Sequence, residues 1–284
     1  MAIARHGSGI AAAVQALASQ VHPVFMLPPL AASLFGGLLA DQFSLPLAGV
    51  HLAAVFFGLY TAHVKDGYVD FYGRGEDDDH PLSERGCRLA LAGASVGFFA
   101  CTAALFALVN VWAALITLPG WLIGYHHAPR LDMHPVTASV GYPTGIAFAL
   151  LGGFYVQSTG LAPVIVALAV VFLLVLSGIK VIDDSTDVEY DRSIDKRTVA
   201  VVLGRTRARQ LAYGLMFLGM VAVLAMAIAM SAIPPSAALA ALAFGLVAVL
   251  SRNADAELAT MLLIRGSYVF LAVLLAAVWF RPLA

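Results

Sequence analysis

The chain has 284 residues, 61% of them hydrophobic and 12% charged, with a mean hydropathy of +0.89 and a formal net charge of -1 at pH 7. So little charge cannot cover the surface of a water-soluble domain, which excludes that class and leaves a multi-span membrane protein. The near-neutral balance offers no nucleic-acid surface.

Apolar runs long enough to cross a ~30 Å hydrocarbon layer recur along the chain, and in lipid each satisfies its own backbone only as a helix. The runs are continuous rather than alternating, so barrel strands are not expected. Near the start, "SGIAAAVQALASQ" reads as an interfacial helix, because Gln15 and weak hydrophobicity suit neither a crossing nor a cleaved signal peptide. The first crossing is predicted at about 21–40, kinked by Pro23, Pro28 and Pro29. The second, at 45–65, runs into "KDGYVDFYGRGEDDDHPLSERG", which holds Asp66, Asp70, Glu76, Asp77, Asp78, Asp79 and Glu84, seven of the seventeen acids. Crossings follow at 88–108, 110–126, 139–157 and 161–182. Next comes "DDSTDVEYDRSIDKRTVAVVLGRTRAR", with six more acids ahead of a basic run, and then crossings at 206–230, 235–251 and 258–280. The expected architecture is an all-α integral membrane protein of nine transmembrane helices. It forms one membrane domain over 1–284, with pseudo-repeat halves at about 20–130 and 139–250 and a ninth helix at 258–280.

Fourteen of the sixteen basic residues, from Lys65 to Arg265, fall in or beside connections two-to-three, four-to-five, six-to-seven and eight-to-nine. The opposite turns, "ADQFS", "NVW", "STG" and "SAIPP", carry none. The positive-inside rule makes the loaded face cytoplasmic, with the N-terminus inside a plasma membrane and only Arg281 dissenting. Cys87 and Cys101 are expected to be buried free thiols, and His126 and His127, which point to different helix faces, to be packing or interface residues.

The acids are the strongest signal. Asp66 with Asp70, and Asp187 with Asp191, are each spaced i and i+4, which on a helix puts both carboxylates on one face. The two pairs follow the second and sixth crossings at an offset of 121 residues. Loop acids are ordinarily just solvated, and that suffices for Asp78, Asp79 and Glu84. Four like charges at matched membrane boundaries repel unless cations neutralise them, and oxygen-only ligands suit Mg²⁺ held partly through a substrate phosphate. Lys196 and Arg197 after Asp191, and Lys65 and Arg130 on the same face, would grip phosphate oxygens.

Here the pattern resembles the UbiA superfamily of intramembrane prenyltransferases. "DVEYDRSIDKRTVAVVLG" is similar to the family's second signature, D-x-x-x-D followed by K-R-T and L-G, with Asp195 where a Gly is usual. "DGYVDFYGRGEDDD" resembles the first, N-D-x-x-D, with Asp66 on the Asn, Gly67 on the first Asp and Asp70 on the second. "GYHHAPRLDM" is similar to the Tyr-x-x-x-Pro segment after the fourth span, and "HPLSERG" to a segment of the naphthoate-prenylating branch.

The resemblance implies a helical bundle around a central cavity, capped by two acidic loops that bind an isoprenyl diphosphate through Mg²⁺. Asp66, Asp70, Asp187 and Asp191 would be the catalytic, metal-holding carboxylates, joined by one of Glu76, Asp77 and Asp78, with Asp77 carried as the metal ligand. Lys196, Arg197 and Arg130 would hold diphosphate, and Tyr68 and Tyr125 would face the prenyl chain or acceptor. The partners would be membrane lipids, the prenyl diphosphate and a lipophilic, aromatic, quinone-precursor-like acceptor. Two alternatives stay open: a terpene cyclase of the same superfamily, and a divalent-cation transporter.

Overall fold

The computed structural model describes residues 3–282. Among them the regular structure is helical, and its β pairing amounts to one isolated bridge between Ala4 and Leu82. The helices are α1 (Gly9–Ala18), α2 (Pro23–Leu38), α3 (Leu45–Tyr68), α4 (Glu84–Leu108), α5 (Val111–His126), α6 (Pro135–Ser158), α7 (Pro163–Asp183), α8 (Val188–Ser193), α9 (Val199–Leu203), α10 (Arg205–Ala229), α11 (Ala238–Ser251) and α12 (Ala256–Phe280).

Helix covers each of the nine expected stretches among the described residues. Six of these helices are long and apolar enough to cross a membrane: α3 with its extension to Arg74, α4, α6, α7, α10 and α12. The pair α1 and α2, bent by 64°, would make a seventh. By contrast α5 has 16 residues and α11 has 14, below the ~20 of an ordinary crossing. The protein is therefore multi-pass. Helix α2 runs through Pro28 and Pro29 as one piece, and the sharp bend lies upstream of it, with Pro23 at the first turn where its missing N–H costs nothing.

The chain divides into two compact units. The first comprises Met1–Leu131 and Phe148–Gly160, so it takes the second half of α6. Within it α3 packs against α2, α4 and α5. Small residues let these backbones touch, as lipid-embedded helices require. A Cβ on Gly153 would lie 1.9 Å from the Ser33 carbonyl oxygen, and one on Gly124 would lie 2.6 Å from that of Gly58. Ser33 and His51 form a buried hydrogen bond of 2.7 Å between α2 and α3. Ser83 accepts from the Gly86 N–H to start α4, and Asn110 accepts from Trp112 and Ala113 to start α5. The N-terminal segment is strapped to the loop before α4: Arg5 N–H donates to the Pro81 carbonyl and Ser83 N–H to that of Ile3, both at 2.9 Å.

The second unit comprises Asp132–Ala147 and Leu161–Ala284. Here α7 packs on α10, with a Cβ on Gly178 only 2.6 Å from the Ala212 carbonyl oxygen, and α12 packs on α7 and α11. Its core holds Phe172, Phe244 and Phe270 in edge-to-face contact at 5.8 and 6.1 Å. Both cysteines are free thiols, Cys87 buried and Cys101 half-buried.

Candidate active site

The first acidic segment begins inside α3. That helix does not stop with its apolar run at residue 65; it continues to Tyr68 and passes into a wider π-helical turn, Val69–Arg74, which ends at Gly75 with φ +64°. Asp66 and Asp70 therefore straddle a change of helical pitch, of a kind frequent at functional sites. Asp70 accepts a bond from Arg74 Nη1 at 3.2 Å, and both side chains are largely buried. Its carbonyl accepts the Glu76 N–H at 2.8 Å, which folds the following loop back onto the turn. Glu76, Asp77 and Asp78 are exposed. Asp79 is committed elsewhere: Arg5 reaches it at 2.9 Å and His6 at 2.8 Å, and the His6 hydrogen bond holds its carboxyl below the usual carboxylate range.

Tyr68 and Tyr125 come together around one cation. Lys65 Nζ lies 5.6 Å from each ring centroid, within cation–π range of both. Tyr125 also stacks on Trp121 at 4.9 Å, while Tyr68 donates to Glu84 at 3.3 Å. Arg130, beyond α5, is exposed and reaches His126 Nδ1 at 3.4 Å. At Gly67, where the resembled signature has an Asp, a Cβ would lie 2.8 Å from His80 Nε2. His80 is 3% exposed, and its Nε2 has no hydrogen-bond partner.

The second acidic segment follows α7. Lys180 pairs with Asp183 at 2.8 Å and with Asp184 at 2.7 Å, and the buried Asp184 keeps one oxygen without a hydrogen bond. Asp187 is exposed, immediately before α8. Asp191, one turn later, is 1% exposed; its N–H donates to the Asp187 carbonyl at 2.8 Å. Both Asp191 carboxylate oxygens lack hydrogen-bond partners, and the nearest cation is Lys196 Nζ, 3.2 Å from Oδ1. The Arg197 side chain is exposed, while its N–H donates to the Met133 carbonyl at 3.2 Å.

The signature residues between and after these groups are builders of backbone. Asp195 has φ +57°, which explains why a Gly is usual there: the left-handed region is open to Gly and tolerated by Asp. Thr198, fully buried, accepts the Val201 N–H to cap α9, and Gly204 at φ +78° turns the chain into α10. Sequence reasoning missed Arg74, His80 and the Lys180–Asp184 pair as site neighbours. Two of these had a signal, since Arg74 follows Asp70 by four and Asp184 follows Lys180 by four.

A divalent cation fits the donors. Asp191 has one ion pair, Lys196 at 3.2 Å, yet both of its buried oxygens lack hydrogen bonds, and a divalent cation would satisfy the capacity that remains. Among the described residues no three His, Cys, Asp or Glu side chains form a self-sufficient metal site. Paired carboxylates completed by substrate phosphates are how Mg²⁺ is usually held.

Comparison with known proteins bears on this arrangement. The model of the UbiA prenyltransferase family matches residues 86–274, which include the second acidic segment and leave out most of the first. A UbiA homologue from Archaeoglobus fulgidus bound to GPP and Mg²⁺ is 18% identical with a TM-score of 0.68, over 94% of this chain and 99% of that one. A structure of digeranylgeranylglyceryl phosphate synthase gives 15% identity and 0.71, over 94% and 98%. A UbiA homologue from Aeropyrum pernix, in its apo form, gives 17% and 0.67, over 89% and 98%. Among curated proteins no sequence matches. These likenesses establish a shared fold, and with more than half of its length matched by the family model, the chain belongs to the UbiA prenyltransferase family.

Proposed function

We propose that the protein transfers an isoprenyl group from an allylic prenyl diphosphate to a lipophilic acceptor within the membrane, in a Mg²⁺-dependent reaction that releases diphosphate. An aromatic, quinone-precursor-like acceptor is the preferred class, by branch resemblance. The observation that carries the reading is Asp191, a buried carboxylate with two unbonded oxygens beside Lys196, on the motif that best matches the family. The similar Archaeoglobus protein, bound to GPP and Mg²⁺, gives the same chemistry further support.

In this reading Asp66, Asp70, Asp187 and Asp191 are the metal-bearing carboxylates, with Asp77 as the downstream acid. Bound Mg²⁺ would neutralise charge that builds on the leaving diphosphate. Lys196, Arg197 and Arg130 hold the phosphate oxygens, and Lys65 joins them from its place between the two tyrosines. The C–O bond breaks with its electron pair leaving on diphosphate, and an allylic cation remains. With Lys65 drawn onto phosphate, the faces of Tyr68 and Tyr125 that it covers would open to that cation, and apolar helix walls would keep water from it. Acceptor carbon then bonds to the cation, and an aromatic acceptor loses the proton from the attacked carbon to the released diphosphate. The proposal keeps nine crossings and a cytoplasmic position for the acid-bearing connections, on the one-sided distribution of Lys and Arg.

A second reading, cyclisation of the prenyl chain with no acceptor, draws on the first acidic segment. There Gly67 lies under His80, and Asp70 is already paired with Arg74. Mass spectrometry of products from purified protein, given several prenyl diphosphates with and without quinone precursors and Mg²⁺, separates the two. Products that need an acceptor support transfer, hydrocarbons or terpene alcohols without one support cyclisation, and inert diphosphate under every condition overturns both.

A further inference from the structure

An open-sided cleft of about 1210 Å³ lies within the second unit, between α10 and α11. None of Asp187, Asp191, Lys196 and Arg197 lines it, although Ser185 and Thr186, just ahead of Asp187, stand at its edge. Its walls are apolar, with Met216, Phe217 and Met220 on one side and Leu242, Leu246 and Val249 on the other. Gly245 leaves the space between them free, since a Cβ there would meet nothing within 4 Å. Phe217 is 71% exposed, as suits a side open to lipid.

One end is charged. Arg205, Arg209 and Arg252 stand there with Asp255 and Glu257. Arg205 and Arg252 have no ion-pair partner among the described residues. Arg209 donates through Nη2 to the carbonyls of Ser251 and Ala254, yet its Nε–H is buried without a partner. A phosphate oxygen would satisfy such donors. Asp255 accepts the Leu258 N–H with one oxygen, which leaves the other, with Glu257, to attract a positive group.

Length narrows the choice further. The α10 lining runs from Arg205 to Met220, about 22 Å at ~1.5 Å per residue. That is the depth of one leaflet with its headgroup layer, half of ~40–45 Å. A free phosphate would leave the apolar walls empty, and a purely acidic headgroup would meet two carboxylates.

We propose that this cleft binds one phospholipid with a primary-ammonium headgroup. Its phosphate lies on Arg205, Arg209 and Arg252, its ammonium on Asp255 and Glu257, and an acyl chain runs past Gly245.

The test uses delipidated full-length protein in phosphatidylcholine nanodiscs that carry a minor share of either phosphatidylethanolamine or phosphatidylglycerol, with bound lipid read by native mass spectrometry. The expected result is a one-to-one adduct with phosphatidylethanolamine. It should weaken at least tenfold in the Arg205→Gln/Arg252→Gln double variant, disappear in Gly245→Phe, and persist in Arg207→Gln, a neighbouring arginine outside the cleft. An adduct that survives the double variant, a preference for phosphatidylglycerol, absence of any adduct, or displacement of the lipid by geranyl diphosphate overturns the proposal. No turnover enters the measurement, so its outcome is independent of the prenyl-transfer reading.

Discussion

The two acidic segments carry the same Asp-x-x-x-Asp spacing and have met different fates. In the second, Asp191 is enclosed at 1% exposure, and Lys196 pairs with its Oδ1 at 3.2 Å without a hydrogen bond to either oxygen. In the first, Asp70 is already held by Arg74, and the Gly67 position beside it is covered by His80. The family match follows the same division, since it takes in the second segment and starts only at the end of the first. Spacing alone places carboxylates on one face; the state of each depends on what the rest of the chain brings to it. Both acids have one internal cation at 3.2 Å, but the Arg74 guanidinium also hydrogen-bonds Asp70, whereas the more deeply buried Asp191 keeps both oxygens without a hydrogen bond and so has more to gain from a further cation.

The sharpest way to break this contrast is Asp191→Asn. The amide keeps the shape and removes the charge, so turnover should fall by about 10²-fold or more while the melting temperature does not drop. Retained product formation in a mass-spectrometric assay would remove the second segment from the mechanism. The next largest effect concerns stability. Lys196→Met leaves Asp191 buried with no counter-charge and should cost about 3 kcal/mol in thermal unfolding, most of which returns in the Asp191→Asn/Lys196→Met double variant. Additive losses in the double variant would mean that the pair does not interact.

Arg74→Gln tests the other side. If Arg74 competes with metal at Asp70, its removal should lower the Mg²⁺ concentration needed for half-maximal turnover a few-fold. An unchanged Mg²⁺ requirement would show that the first segment is not a metal site in the working enzyme. A smaller effect is expected at Asp195, where φ is +57°. Asp195→Gly should raise stability by at most about 1 kcal/mol, and Asp195→Val should lower it by about 1–2 kcal/mol, both read by melting temperature.

Much of the fold was legible because a lipid-facing helix declares itself through composition, segment by segment, without reference to the rest of the chain. That is why helix occupies each of the nine expected stretches among the described residues. Termini read less well. Helix α3 outruns its apolar run because Asp66, Tyr68 and Asp70 can still be helical while no longer looking lipid-bound, and nothing in hydropathy marks the change to a π-turn at Val69. The short helices α5 and α11 leave the number of crossings at six or seven by length and composition. At the candidate site, local pairs such as Lys180 with Asp184 are visible as i, i+4 charges. His80 over Gly67 is not, because a loop of irregular shape must first return the imidazole to the helix it left. The left-handed backbone at Asp195 had only an indirect sign, the Gly usual at that place in the resembled signature.

The smallest effect belongs to the strap that fixes the first acidic loop. Arg5 and His6 both reach the exposed Asp79, and the paired backbone bonds at Ile3, Arg5, Pro81 and Ser83 depend on that loop's shape. Because the His6 hydrogen bond depresses the Asp79 pKa, the contribution of this clasp is complete above the ordinary carboxylate value of ~4 and is lost as pH falls through the lower folded value. Asp79→Asn should therefore speed amide exchange at Arg5 and Ser83 a few-fold at pH 7. The difference from the unsubstituted protein should vanish in the acid range, where the native carboxyl is itself protonated. Equal exchange in the two proteins at pH 7 would leave the backbone bridge alone as the strap.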